Sequence, residues 1–247
     1  MTPAPPRGTL PEEVLAAADA LAKGEPILLF DERGREEETD LFVLAEHCTP
    51  EKVHMLRRDG GGLVFVAMER APADILGLPF LHDVLDSAKE RFPVLGETVP
   101  QGLPYDARSS FSLWVNHRDT YTGITDVDRS RTITALAETA TDAMRLDDPR
   151  RGPVMFGERF RSPGHVSICV GHSQGLHGRH GHTELATALA AIGGATPVVA
   201  GCEMLDGTTG RARNISDAEK YARSNGLLFL DGETLIEAFR TWRPTAR

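Results

Sequence analysis

Six acids crowd into ten residues: Asp31-Glu32-Arg33-Gly34-Arg35-Glu36-Glu37-Glu38-Thr39-Asp40. The run lies between two apolar segments, Pro26-Ile27-Leu28-Leu29-Phe30 and Leu41-Phe42-Val43-Leu44-Ala45, so its backbone must pass close to a core. Positions 36, 38 and 40 alternate, and in extended chain alternate side chains share one face. Three carboxylates on one face repel each other unless a cation sits among them. Magnesium suits such a set, since it takes oxygen ligands at about 2.0–2.1 Å and keeps several waters. A short charge run equally suits a solvated turn, and the spacing leaves both readings open.

Three further clusters carry chemistry-bearing residues. Arg179-His180-Gly181-His182-Thr183-Glu184 precedes Leu185, Ala188, Leu189 and Ile192, which recur at helical spacing. Thr183 suits a helix cap, and the unpaired N–H groups of a helix start can cradle a phosphate. Arg179 supplies a fixed cation with bidentate geometry. His182 suits a metal ligand or a base, against the plainer reading of a solvated histidine pair. Arg161-Ser162-Pro163-Gly164-His165 precedes an apolar strand over 166–170; Pro-Gly reads as a tight turn that sets a histidine at the strand mouth for proton transfer. Glu203 follows the apolar segment 197–201, as a buried base or simply as a first loop residue. Tyr121 to Arg129 offers hydroxyls and an arginine ahead of a helix, again compatible with phosphate.

These groups need positioning elements, and the hydrophobic pattern supplies them. Helical spacing over 12–23 stops at Gly24, and a buried strand follows over 26–30. Residues 41–45 continue that strand or pair with it. Thr49 and Pro50 open a helix that the triple glycine at 60–62 should end, before a strand over 63–68. Phe111, Leu113 and Val115 alternate with polar neighbours as in a strand, and Ile133, Leu136, Ala137 and Met144 mark a helix. Ser216-Asp217-Ala218-Glu219 has the capping-box pattern of a helix that stops at Gly226. A strand over 227–230 and a helix over 233–240 finish the chain. Residues 79–104 read as helix followed by loop. Strands and helices alternate without an internal repeat, which predicts a single α+β (mixed α/β) domain over 10–247, behind a disordered leader over 1–9.

Bulk properties bound the function. The 247 residues suffice for a sizeable core. The net charge of −9, from 27 Lys+Arg against 36 Asp+Glu, opposes a nucleic-acid surface. No apolar run approaches the roughly 18 residues of a membrane span, and the N-terminus lacks the order of a signal peptide, so a cytoplasmic location is expected. Cys48, Cys169 and Cys202 form no CxxC and read as buried free thiols in a reducing compartment.

Taken together and in this order, the motifs resemble the 3,4-dihydroxy-2-butanone 4-phosphate (DHBP) synthase family of riboflavin biosynthesis, in its stand-alone archaeal type. The resemblance spans roughly 10–237. It is carried by Asp31 with Arg35-Glu36-x-Glu38-x-Asp40, Gly61-Gly62-Leu63, Ser109-Ser110-Phe111-Ser112 and Asn116-His117-Arg118. Thr122-Gly123-Ile124-Thr125-Asp126, Arg161-Ser162-Pro163-Gly164-His165, Arg179-x-Gly181-His182-Thr183-Glu184 and Cys202-Glu203-Met204 complete it. It implies a DHBP synthase-like fold with a central mixed sheet flanked by helices, and a homodimer. It also implies a lyase that converts D-ribulose 5-phosphate to L-3,4-dihydroxy-2-butanone 4-phosphate and formate. The implied cofactor is Mg2+, or Mn2+ in its place, with two ions per site once substrate is bound.

By the same resemblance Glu36 and His182 fall at metal positions, and Arg35, Asp40, Thr122, Arg179 and Thr183 at substrate or phosphate positions. His165 and Glu203 match the acid/base pair, with Asp31 and Glu38 as acidic helpers. The fused zinc-dependent GTP cyclohydrolase of some relatives has no counterpart here. Three positions depart from the family's pattern: Phe65 stands for a common cysteine, Val170 for a common arginine, and Leu205-Asp206-Gly207-Thr208-Thr209 for an Asp-Asp-Gly turn. These keep two alternatives in view: a diverged enzyme of the same scaffold acting on a related phosphosugar, and a non-catalytic phosphosugar-binding protein.

Overall fold

A computed structural model describes residues 10–98, 106 and 108–241. The leader expected over 1–9 lies outside the described residues. In chain order the elements are α1 (Glu12–Ala22), β1 (Ile27–Phe30), β2 (Thr39–Leu44), α2 (Pro50–Met55), β3 (Phe65–Met68), α3 (Arg70–Ile75), α4 (Leu81–Ser87), α5 (Pro93–Thr98), β4 (Phe111–His117), α6 (Asp126–Ala143), α7 (Gly152–Arg159), β5 (Phe160–Val170), α8 (His182–Ile192), β6 (Val198–Glu203), α9 (Ile215–Asn225), β7 (Leu228–Asp231) and α10 (Gly232–Thr241). The seven strands form one mixed sheet in the order β4-β5-β3-β6-β2-β1-β7. The β3/β5 and β1/β7 pairs are parallel and the other four antiparallel. The segment after the acidic loop is thus β1's antiparallel partner, not its continuation.

Strand pleating divides the core in two, because successive side chains point to opposite faces. Leu28, Leu41, Val43, Val66 and Met68 join a cluster with Val53 of α2 and Ile133 and Leu136 of α6. Ile27, Leu29, Phe42, Leu44 and Phe65 face the other way, onto Val14 and Leu21 of α1 and Leu185 and Leu189 of α8. Both sheet faces are therefore covered, which explains why β1, β2 and β3 are buried at every position and why β1, β3 and the 41–44 part of β2 read as continuous apolar runs rather than alternating ones.

The strand directions also gather the loops. The C-terminal ends of β1, β6 and β4 and the N-terminal ends of β2, β3 and β5 lie at one end of the sheet. Asp31, Asp40, Glu203, Asn116 and His165 all emerge there.

Local structure departs from the sequence pattern in four places. Pro163-Gly164 makes no separate turn. β5 runs through it, and the register with β4 jumps from Val115↔Val166 to Asn116↔Arg161, so that residues 162–165 bulge out of the ladder. Ser162 Oγ pins this bulge by donating to the Trp114 carbonyl at 2.8 Å. Ser216 is not a cap: Asn214 holds that position, its Oδ1 accepting from Asp217 N–H at 3.0 Å, so α9 starts earlier than the capping-box pattern implies. Residues 81–98 hold two helices rather than helix and loop, because Pro93 opens a second one at the position where its missing N–H costs nothing. Thr183 is not a cap either, and lies within the first turn of α8.

Candidate active site

The acidic loop is organised by its first member. Asp31, fully buried at the end of β1, accepts from Arg35 Nη1, Glu36 N–H and Glu38 N–H, each at 3.1 Å. Its own N–H donates to the Glu38 carbonyl, which closes the loop on itself. Three of the four lone-pair positions of its carboxylate are thereby used. Asp31, Glu36 and His182 offer ligand atoms within 4.8 Å of one another, an arrangement able to hold a metal ion. Of the three, Asp31 is the most committed to protein donors.

His182 sits in the first turn of α8 between two carboxylates. Its Nδ1 lies 3.4 Å from Glu36 Oε2 and its Nε2 lies 3.6 Å from Asp40 Oδ1. The second pair is too long for a hydrogen bond, and both atoms are buried without a hydrogen-bond partner. Buried polar atoms are ordinarily satisfied, so two facing ones without partners mark a place built for something else. Glu36 also contacts Arg35 Nη1 at 2.7 Å.

The electrostatics are correspondingly tense. Burial raises the Glu36 carboxyl, but His182 and Arg35 outweigh it and hold the group at about 2. Asp40, 1% exposed, is pushed up to about 8 by burial, with Glu203, Glu38 and Glu36 adding like charge against the pull of His182. Burial lowers His182, yet Asp40, Glu36 and Asp31 overcome it and lift the imidazole to about 9. Glu38 is raised by burial and by its neighbour Glu36. A divalent cation among Glu36, His182 and Asp40 would relieve this repulsion and satisfy the orphaned atoms, so the residues present fit a metal.

Glu203 lies directly across from Asp40 in the β2/β6 register. Its Oε2 accepts from Leu63 N–H at 2.7 Å, which ties the carboxylate to the chain entering β3. His165 is exposed in the β5 bulge. Its backbone N–H donates to Asn116 Oδ1 at 2.8 Å, and its Nδ1 lies 3.1 Å from Asn116 Nδ2. Thr122 reaches the same amide through its carbonyl, 3.3 Å from Asn116 Nδ2, while its hydroxyl donates to Asp128 at 3.4 Å. Among the described residues no direct contact joins His165 to the Glu36–His182 group; they share the sheet end only.

Arg179 is held by two carboxylates, Asp106 at its Nε and Glu184 Oε2 at 2.6 Å from its Nη1. Gly181 occupies the helix-cap position, where a Cβ would fall 2.1 Å from Arg179 Nη1, so any side chain there would push the guanidinium away from its present place across the start of α8. Thr183 is buried one residue beyond His182. A cavity of about 940 Å3 opens beside these groups, lined among others by Arg35, Asp106, Arg108, Arg179, Val170 and His172. Three arginines and three acids, Glu32, Asp106 and Glu184, share this concave surface, so an anion binding there competes with carboxylates already on the guanidinium groups.

Sequence reasoning assigned no role to Asp106, which joins Arg179 to Arg35 (3.5 Å from Nη2). It sits in a stretch without periodicity, and nothing there signals it. Glu184 and Asn116 lie inside quoted motifs, but their partners are distant in sequence. Phe65 packs edge-on against Phe42, ring centroids 6.1 Å apart at 88°, and Phe42 in turn lies 6.3 Å from the His182 ring. Cys48, Cys169 and Cys202 are buried and free, and burial pushes the thiols of Cys48 and Cys202 up to about 12.

A two-faced mixed sheet carrying a carboxylate–imidazole centre at one end defines an α/β enzyme core. The chain belongs to the 3,4-dihydroxy-2-butanone 4-phosphate synthase family, lyases of riboflavin biosynthesis, whose sequence profile matches residues 15–238. It is 46% identical over 225 residues to the 3,4-dihydroxy-2-butanone 4-phosphate synthase of Archaeoglobus fulgidus, covering 91% of this chain and 92% of that protein. The Methanothermobacter thermautotrophicus protein of the same name is 43% identical over 227 residues, covering 92% and 96%. The synthase structure from Candida albicans superposes with a TM-score of 0.68 at 26% identity, over 91% of this chain and 95% of that one. A synthase structure in complex with two magnesium ions has a TM-score of 0.69 at 24% identity, with the same coverage, and shares the fold.

Proposed function

We propose that the chain converts D-ribulose 5-phosphate to L-3,4-dihydroxy-2-butanone 4-phosphate and formate, with Mg2+, or Mn2+ in its place, held by Glu36 and His182. The observation that carries this reading is the pair of orphaned buried atoms, His182 Nε2 and Asp40 Oδ1, facing each other beside Glu36 and across from Glu203. Bound there, a divalent cation would stabilise the negative charge of an enediolate. Two ions per site with substrate bound is part of the same proposal.

The chain's own residues supply the rest. Glu203, anchored by Leu63 N–H, is the base that removes a proton beside the substrate carbonyl, with His165 as its partner in proton transfer. Asp31 and Glu38 assist, Asp31 by fixing the loop and Glu38 as an acid whose carboxyl is raised by burial and by its neighbour Glu36. Arg35 and Asp40 contact the sugar, and Thr122 lines its pocket. Arg179 and Thr183 hold the phosphate, which is not transformed and serves to orient the chain of carbons. Water lost in the dehydration returns at the carbon–carbon cleavage, so five carbons divide into four and one without an external oxidant.

Incubation with ribulose 5-phosphate and magnesium tests this, following formate and the four-carbon phosphate together. Both are expected in equal amounts; metal binding without formate sinks the proposal. Val170 in the cavity wall favours a second reading, a shifted phosphosugar substrate on the same scaffold. Turnover of another ketose or aldose phosphate in preference to ribulose 5-phosphate would support it. The exposed apolar Tyr121, Ile124 and Val127 beside Thr122 support a homodimer, testable by light scattering. No helix among the described residues is long and apolar enough to cross a membrane, and a cytoplasmic location remains part of the proposal.

A further inference from the structure

Asn116 is a buried amide, 3% exposed, at the end of β4, and it touches both the His165 bulge and the Thr122 loop. Its orientation is fixed by chemistry. Oδ1 lies 2.8 Å from the His165 backbone N–H, a donor with no alternative role, so the oxygen must face it. Nδ2 then carries two hydrogens. One points to the Thr122 carbonyl at 3.3 Å and the other to His165 Nδ1 at 3.1 Å. Two nitrogens form a hydrogen bond only when one of them accepts, and the amide nitrogen cannot. His165 Nδ1 is therefore the acceptor. Its longer contact to Asn116 Oδ1, 3.4 Å, would compete only if Nδ1 carried a proton, and that proton would collide with the amide hydrogen.

The neutral ring must then carry its proton on Nε2, which has no hydrogen bond among the described residues. We propose that Asn116 is a positioning residue that holds His165 as the Nε2–H tautomer, so that the imidazole meets the substrate as a hydrogen-bond donor. This rests on the proposed pairing of His165 with Glu203 and divides the labour within it. The C–H proton goes to the Glu203 carboxylate, and the oxygen that gains negative charge is held by Nε2–H, with no bond to the histidine broken in that step. A neutral donor placed where charge develops acts without first having to be charged.

The test reads the tautomer directly. In 15N-labelled protein, with His165 assigned by difference against His165→Gln, Nδ1 should give an unprotonated (pyridine-type) nitrogen resonance and Nε2 a protonated (pyrrole-type) one. The reverse pattern overturns the proposal. Asn116→Asp keeps the size and the acceptor for the His165 backbone but puts a second acceptor opposite Nδ1. It should move the proton onto Nδ1 and lower kcat by roughly 100-fold, the scale of one lost oxyanion donor, while KM stays nearly unchanged. An unaltered nitrogen pattern with full kcat in that variant also overturns it. If the variant does not fold, the wild-type spectrum still decides. Full turnover in His165→Ala would instead sink the parent reading of His165 and leave the tautomer assignment to stand on its spectrum.

Discussion

Two groups of side chains at one end of the sheet are held by opposite means. The Glu36–His182–Asp40 group, buried at His182 and Asp40 and half-buried at Glu36, is held by charge: a carboxyl pulled down, a carboxyl pushed up and an imidazole lifted, with facing atoms left unbonded. Glu203 and His165 are held by neutral donors and acceptors, a backbone N–H for one and a backbone-anchored amide for the other. The difference teaches what each is for. A cluster whose charges conflict is complete only when a cation resolves the conflict. A pair fixed by uncharged partners keeps its geometry when its own charge changes, which proton transfer requires.

The largest expected effect breaks the second group. Glu203→Gln keeps the shape and the Leu63 contact but cannot take a proton, and kcat should fall by about 10²–10⁴-fold while isothermal titration still detects substrate. Retained turnover would dissolve the contrast. Next, Glu36→Gln or His182→Ala should weaken magnesium binding by more than the roughly 10–100-fold that accompanies loss of a ligand's supporting partner, and activity should fall with it. If both variants bind magnesium as the parent does, the charged group is not the metal centre.

A pH series sharpens the comparison. His182 stays protonated in the metal-free protein until pH passes about 9, and a metal ligand must be neutral, so binding expels a proton. Magnesium affinity should therefore rise with pH, by up to about tenfold per unit below 9, whereas a pH-independent affinity would remove His182 from the ligand set. The same shift has a sign for stability. A raised histidine stabilises the metal-free fold fully below its unfolded value near 6.5, and that contribution is lost as pH climbs through about 9. Thermal melts across that window should show the metal-free protein weakening as pH rises.

The smallest effect concerns the floor beneath the centre. Gly201 lies under the Phe42–Phe65 pair, and an added Cβ would come within 2.4 Å of Phe42 and 2.8 Å of Phe65. Gly201→Ala should cost about 1–3 kcal/mol in urea unfolding by overpacking. Because Phe42 borders His182, metal affinity should fall modestly too; a change in stability alone would separate floor from centre.

The fold was legible where burial is two-sided. β1, β3 and residues 41–44 of β2 are continuous apolar runs because helices cover both faces of the sheet, and such runs stand out in any sequence. The candidate clusters stand out for a related reason: glycine, proline and charge beside an apolar strand mark where a chain leaves the core. What escaped is what long-range pairing decides. Residues 162–165 bulge because β4 holds Val166 and Arg161 in register on either side, and no local signal distinguishes that from a turn. The start of α9 went to Asn214 rather than to Ser216 because either residue can cap. The joint role of Asp106, clasping Arg179 while facing Arg35, depends on segments about 70 residues apart.

The three cysteines have a consequence beyond packing. All are buried, none is paired, and the proton of the Cys48 or Cys202 thiol is released only near the pH at which hydroxide itself is abundant. Thiolate is the form that oxidants and alkylating agents attack. Even Cys202, next to Glu203 in the chain, is held protonated by burial, so turnover should outlast an oxidative challenge that silences cysteine-dependent catalysts.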